Sequence, residues 1–219
     1  MADAYFRENA RQWDEIRTMH VDDAEVEAKL LSVLPHTEDQ RLIDIGTGTG
    51  RILELFGPQV AQSVGVDISR EMLSLARSRL DTLDTRGCQV RQGDMYQLPA
   101  EDSGFDIATL HLVLHYADDP AAVITEATRV LAPGGILAIV DFAPHHVEEL
   151  RENHAHRRLG FGDDECAELF DRNGLRTAGI HSLPGQPLTV KIWIGEKPRE
   201  ALSVGHVPVG MIPDGQAPV

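Results

Sequence analysis

A chain of 219 residues, 42% of them hydrophobic, can bury the core of one well-packed domain and falls short of two. Its 20 basic and 35 acidic side chains leave a formal charge of −15, the wrong sign for tracking a phosphate backbone or an anionic membrane surface, so neither nucleic acid nor membrane is an expected partner. No apolar run approaches the roughly 20 residues of a spanning helix, the polar opening MADAYFRENARQWDE is no signal peptide, and the distant Cys88 and Cys166 form no C-x-x-C spacing, which points to a reducing cytoplasm.

Residues 3–34 read as two helices. Tyr5, Phe6, Trp13 and Ile16 share one helical stripe, and Asp22 with Glu25 resembles a capping box opening a second helix that Pro35 ends. Strands and helices then alternate. RLIDIG is a buried strand, GRILELFG a helix, SVGVDIS a strand, and SREMLSLARSRLDTL a helix with apolar positions 72, 73, 76 and 80. CQVRQGD and FDIATLHL are the third and fourth strands, PAAVITEATRVLAPGG a helix ending at glycine, and ILAIVDF the fifth strand. Short apolar strands separated by helices predict a parallel sheet covered on both faces. Beyond it, HHVEELRENHAHRRLG reads as a charged helix and DDECAELFDRNG as a helix stopped by Asn-Gly. Two strands joined by a Pro/Gly loop then predict an antiparallel edge hairpin, followed by a proline-bearing tail from Lys197.

The loop Gly46–Thr47–Gly48–Thr49–Gly50 follows what should be the central strand, where a parallel sheet places its ligand. It lacks the Gly-Lys-Ser/Thr of a phosphate-gripping loop, and Arg51 stands where the dinucleotide fingerprint needs its third glycine. Asp44, which ends that strand, reads either as a ligand-flanking acid or as a helix N-cap. Asp67 ends the second strand, where a carboxylate can take both hydroxyls of a ribose. Asp94 in QGDMYQLP can accept from an adenine amino group while Met95 offers its N–H, and Met72 is placed against a purine face.

With D-I-G-T-G-T-G, G-V-D-I-S-x-x-M-L, Q-G-D-M and R-V-L-x-P-G-G in this order and spacing, the chain resembles the class I S-adenosylmethionine-dependent methyltransferases from about Leu30 to Lys197. More narrowly it is similar to the ubiquinone/menaquinone and small-molecule branch. YFRENARQWDEIRTMHV and DFAPHHVEELRENHAHRRLGF resemble methyltransferase domains fused to ArsR-type heads, although no winged-helix head precedes Tyr5. Arsenite methyltransferases share the fold but use several cysteines, a pattern this chain departs from. The resemblance implies an α/β Rossmann-like fold with a seven-stranded, mostly parallel sheet and an antiparallel edge hairpin. It divides the chain into a helical lid (1–34), the cofactor domain (35–196) and a tail (197–219). It implies S-adenosylmethionine as cofactor and S-adenosylhomocysteine as product. Asp44, Gly46, Thr47 and Gly48 would flank the methionine part, Asp67 the ribose, Ile68 and Met72 the adenine faces, and Asp94 with Met95 its edge.

Methyl transfer needs an in-line nucleophile, a dry site and in some cases a base. His111 ends the fourth strand beside the expected sulfonium and His115 follows by four; both are candidate bases, and His111 also a cofactor contact through its carbonyl. His145, His146, His154 and His156 invite a metal reading, but His154 and His156 diverge on a helix and no carboxylate completes a ligand set, so no metal is expected. The sequence therefore predicts a methyltransferase acting on a small organic acceptor. A module that senses S-adenosylmethionine or S-adenosylhomocysteine without catalysis is the alternative. A protein substrate and a homodimer stay open.

Overall fold

The computed structural model describes residues 23–82 and 87–199. The aromatic stripe of Tyr5, Phe6 and Trp13, the cap at Asp22 and the tail beyond Arg199 lie outside them. Helix α1 (Asp23–Val33) precedes β1 (Arg41–Ile45), α2 (Arg51–Phe56), β2 (Gln62–Asp67), α3 (Arg70–Asp81) and β3 (Cys88–Gln92). Then follow β4 (Phe105–His111), α4 (Pro120–Val130), β5 (Leu131–Phe142), α5 (Glu149–Asn153), α6 (Asp163–Arg172), β6 (Arg176–Leu183) and β7 (Val190–Glu196).

The seven strands form one sheet in the order β3-β2-β1-β4-β5-β7-β6. The first five run parallel, while β7 is antiparallel to both β5 and β6, so the expected Rossmann-like sheet and its edge hairpin are both present. The order reverses between β1 and β4, and the glycine loop leaves β1 at that point.

Alternation along the strands divides the core between the two faces. Ile43, Ile45, Ala108, Leu110, Leu137 and Ile139 point to one side, where Val123, Ile124 and Ala127 of α4 and Leu169 and Phe170 of α6 cover them. Leu42, Ile107, Ala138 and Val140 point to the other, under Val26, Leu30 and Leu34 of the α1 segment and Ile52, Leu53 and Phe56 of α2. The predicted stripe of α3 is buried at Met72, Leu73, Ala76 and Leu80, and Ser69 caps it by accepting from Met72 N at 3.2 Å.

Two expectations need correction. The fourth helix ends at Val130 rather than at glycine, and Leu131 already pairs with Phe105 at the head of a twelve-residue β5. Pro133 explains this, because it has no N–H for a helix and drives the residue before it into extended backbone. The charged run 145–160 is helical only over Glu149–Asn153. Ala155 takes a left-handed φ of 59°, His145 N donates to Leu159 O at 3.0 Å, and Arg157 N and Arg158 N both donate to His115 O. The segment is a closed loop held on the tip of β4, so tertiary hydrogen bonds override its helical composition.

Candidate cofactor and acceptor site

A cavity of about 290 Å³ opens at the carboxyl ends of β1, β2 and β4. Its wall contains Asp44, Gly46, Thr47, Gly48, Asp67, Ile68, Met72, Asp94, Met95 and His111. His115 is not part of that wall; it sits in the one-turn helix Leu114–Tyr116, 2% exposed, behind Tyr116.

The glycine loop is folded by its own backbone. Gly46 N and Thr47 N both donate to Val66 O, at 2.8 and 3.0 Å, and Gly48 N donates to Asp67 Oδ2 at 2.8 Å. Gly46 has φ +73°, and a Cβ there would lie 2.4 Å from Cγ2 of Val113, so both conformation and space demand glycine. Asp67 also accepts from Ser69 N at 2.8 Å, which anchors the β2 turn to the loop. The N-cap reading of Asp44 does not hold: Gly50 caps α2, while Asp44, 1% exposed, accepts from Thr109 Oγ1 at 2.7 Å across the β1–β4 pair. Asp94 is exposed beyond the end of β3, and its Oδ1 turns the chain by accepting from Tyr96 N at 3.0 Å.

The wall also includes Tyr96, Tyr116, Asp118 and Arg157, none of them singled out in the sequence, and Arg157 reaches Asp118 at 3.1 Å in a solvent-exposed pair. Tyr96 Oη accepts from Asp118 N at 2.8 Å, so the β3 and β4 turns meet over the cavity. Arg51 was legible only as the residue that breaks the dinucleotide fingerprint. Its Nε and Nη2 meet the two oxygens of Glu27 at 2.6 and 2.7 Å, and Nη1 meets Glu54 at 2.7 Å. The bond to Glu27 holds the guanidinium even further above its ordinary range, against burial, so α1 is tied to the loop by a permanent charge.

The residues fit a purine nucleoside with a charged tail. A half-exposed Ile68 and a buried Met72 offer apolar contact, Asp67 and Asp94 offer acceptors, and Thr47 Oγ1 is buried without a hydrogen-bond partner among the described residues. Burial pushes the Cys166 thiol well above its ordinary value, so it is no nucleophile. Among the described residues no three His, Cys, Asp or Glu side chains could hold a metal, and no helix is long and apolar enough to cross a membrane.

Residues 43–139 match the family model described as "Methyltransferase domain". The uncharacterized methyltransferase YcgJ of Bacillus subtilis (strain 168) is 33% identical over 166 residues, 71% of this chain and 64% of that protein. A demethylmenaquinone methyltransferase of Thermus thermophilus is 34% identical over 109 residues, 48% of each chain. One chain in the solved complex of the Haloferax volcanii Trm112 methyltransferase activator superposes with a TM-score of 0.79 at 22% identity, covering 92% of this chain and 99% of that one. The chain spans less than two thirds of the length of these curated relatives.

Proposed function

On a chain whose residues 43–139 match a family model described as "Methyltransferase domain", we propose an enzyme that methylates a small organic acceptor with S-adenosylmethionine. The observation that carries this reading is the cavity at the β1–β4 reversal, where the glycine loop and Asp67 are bonded to each other and face one space. Asp67 takes the ribose hydroxyls, Ile68 and Met72 cover the adenine, Asp94 and the N–H of Met95 read its edge, and Asp44, Gly46, Thr47, Gly48 and His111 surround the methionine part. When bound, the cofactor supplies an electrophilic methyl group on a positively charged sulfur. The net charge of −15 disfavours a nucleic-acid substrate, and the Thermus relative, a demethylmenaquinone methyltransferase by name, supports a small-molecule acceptor.

Calorimetry tests the cofactor assignment. S-adenosylmethionine and S-adenosylhomocysteine should bind with micromolar affinity, and Asp67→Ala should lose about 1–3 kcal/mol. Asp67→Asn, which turns an amide donor against the N–H of Gly48 or Ser69, should weaken binding as well. No heat with either ligand overturns the proposal. Binding without methylation of any phenol, thiol, quinol or amine in a panel selects the sensing alternative.

A further inference from the structure

Two arginines line the cofactor cavity among the described residues, and they are held in opposite ways. Arg51 is saturated: Nε and Nη2 meet Glu27, and Nη1 meets Glu54. Arg157 meets a single carboxylate, through Nε at 3.1 Å from Asp118 Oδ1. Its Nη1 and Nη2 make no hydrogen bond among the described residues. The Asp118 side chain is 75% exposed, so the pair is weak and satisfies the guanidinium only in part.

The backbone that carries Arg157 is nevertheless fixed. Its N–H donates to His115 O at 2.9 Å, and the N–H of Arg158 donates to the same carbonyl at 3.1 Å. His156, just before it, is buried with its ring stacked on that of His115 at 4.0 Å. Ala155 enters this turn at a left-handed φ of 59°. Gly160 leaves it at φ +88°, where a Cβ would strike the Ala143 carbonyl. Arg158 is used elsewhere, on Glu165 and on the face of Phe161, 5.1 Å from the ring centre. The loop therefore delivers one guanidinium to the cavity wall and leaves its Nη1–Nη2 edge open.

That edge is a planar pair of donors, complementary to a carboxylate or a phosphate. The surroundings choose between them. Asp94 and Asp118 share the wall, and one guanidinium balances one negative charge, so a monoanion is accommodated and a phosphate dianion is repelled. Arg157 is bonded to the turns after β4, whereas the cation that follows the glycine loop and the methionine part of the cofactor is Arg51.

We infer that Arg157 binds a carboxylate on the methyl acceptor, which makes the substrate a small carboxylic acid. This rests on the proposed methyl transfer. The incoming carboxylate takes the open edge, while the charge of Asp118 beside it opposes binding. The two residues form one pair, yet they act on the same ligand in opposite directions.

The test uses the full chain with S-adenosylhomocysteine bound, titrated by calorimetry with matched probes. The pairs are phenol and para-hydroxybenzoate, aniline and para-aminobenzoate, and ethanethiol and mercaptoacetate. At least one acid should bind about tenfold or more tightly than its neutral partner. Arg157→Gln should remove that preference, and Arg157→Lys should keep part of it, since the charge stays and the fork is lost. Asp118→Asn should strengthen it. Affinity for S-adenosylhomocysteine should stay within about twofold in all three variants. A pair with a purely structural role would move Arg157→Gln and Asp118→Asn in the same direction. Equal binding of acids and neutral partners, a preference that survives Arg157→Gln, or tighter binding of phenyl phosphate than of benzoate overturns the inference. So does a loss of S-adenosylhomocysteine affinity in Arg157→Gln, which would assign the guanidinium to the cofactor's own carboxylate. The wild-type preference and Asp118→Asn decide even if Arg157→Gln does not fold. Failure of S-adenosylhomocysteine to bind the wild type is a different result, which overturns the cofactor proposal itself.

Discussion

The cofactor side and the β4–β5 side of this molecule are built by different means. On the first, the acids that line the cavity sit at strand ends: Asp44 near the end of β1, Asp67 at the end of β2, Asp94 after β3. The bonds of Asp67 and Asp94 run to nearby backbone N–H groups, as between Gly48 and Asp67, and Asp44 alone reaches across the sheet, to Thr109. On the second, His115 and Asp141 are 26 residues apart, and the loop holding His145 is closed by hydrogen bonds to Leu159 and to the His115 carbonyl. The first kind of site is written in local motifs. The second exists only after the sheet has assembled.

The two sides meet where Val113, in the loop after β4, packs on Gly46. The largest effect is expected there. Gly46→Ala should cost about 2–5 kcal/mol in urea unfolding, combining left-handed strain with overpacking. Adding Val113→Ala should recover the overpacking part alone. Full additivity of the two changes would mean that the regions do not touch energetically.

Thr109→Val comes next. It removes a donor from the buried Asp44 carboxylate and should cost about 1–3 kcal/mol of stability, with weaker binding of S-adenosylhomocysteine. A neutral result would mean that the β1–β4 hydrogen bond matters little to the cofactor side. The smallest effect is a pH dependence to which His145 and, on β6, His181 both contribute, each lowered first by burial. The folded His145 binds its proton less readily than an unfolded histidine, whose ordinary value is 6.5. As pH falls below that value the unfolded chain gains the proton first, so stability declines; above it the contribution is fully present. Melting curves between pH 7.5 and 5 should show this decline, and His145→Gln should reduce it. Asp163, lowered by its bonds to Lys191 and Trp193, acts at still lower pH, where stability is lost as its carboxylate protonates.

The same difference explains what could be read beforehand. Strands β1 to β5 were legible because short apolar runs alternate with helices, and the α3 stripe because its period is strict. Asp67 and Ile68 could be named because the motif holds them beside the loop that they line. Asp141 gave no such signal: it is one acid in a strand, and its partner is visible only in three dimensions. His115 was noticed for its position four residues after His111, yet the turn sends the two to different places: His111 lines the cavity, and His115 packs on Tyr116 and bonds Asp141. The 145–160 run was misread as a helix because its charge pattern suits one, and nothing in it announces the bonds to β4.

The Arg51–Glu27 pair sets how far the chain can be shortened. Glu27 is 7% exposed and lies on α1, while Arg51 opens the helix after the glycine loop. A piece beginning at Pro35 would leave Arg51 without its bidentate carboxylate and uncover Leu42, Ile52 and Phe56, which α1 now shields. Expressed as residues 35–199, the protein should aggregate and bind S-adenosylhomocysteine weakly or not at all, whereas a piece that keeps α1 should fold. The smallest working unit therefore begins upstream of the first strand, on the far side of an ion pair.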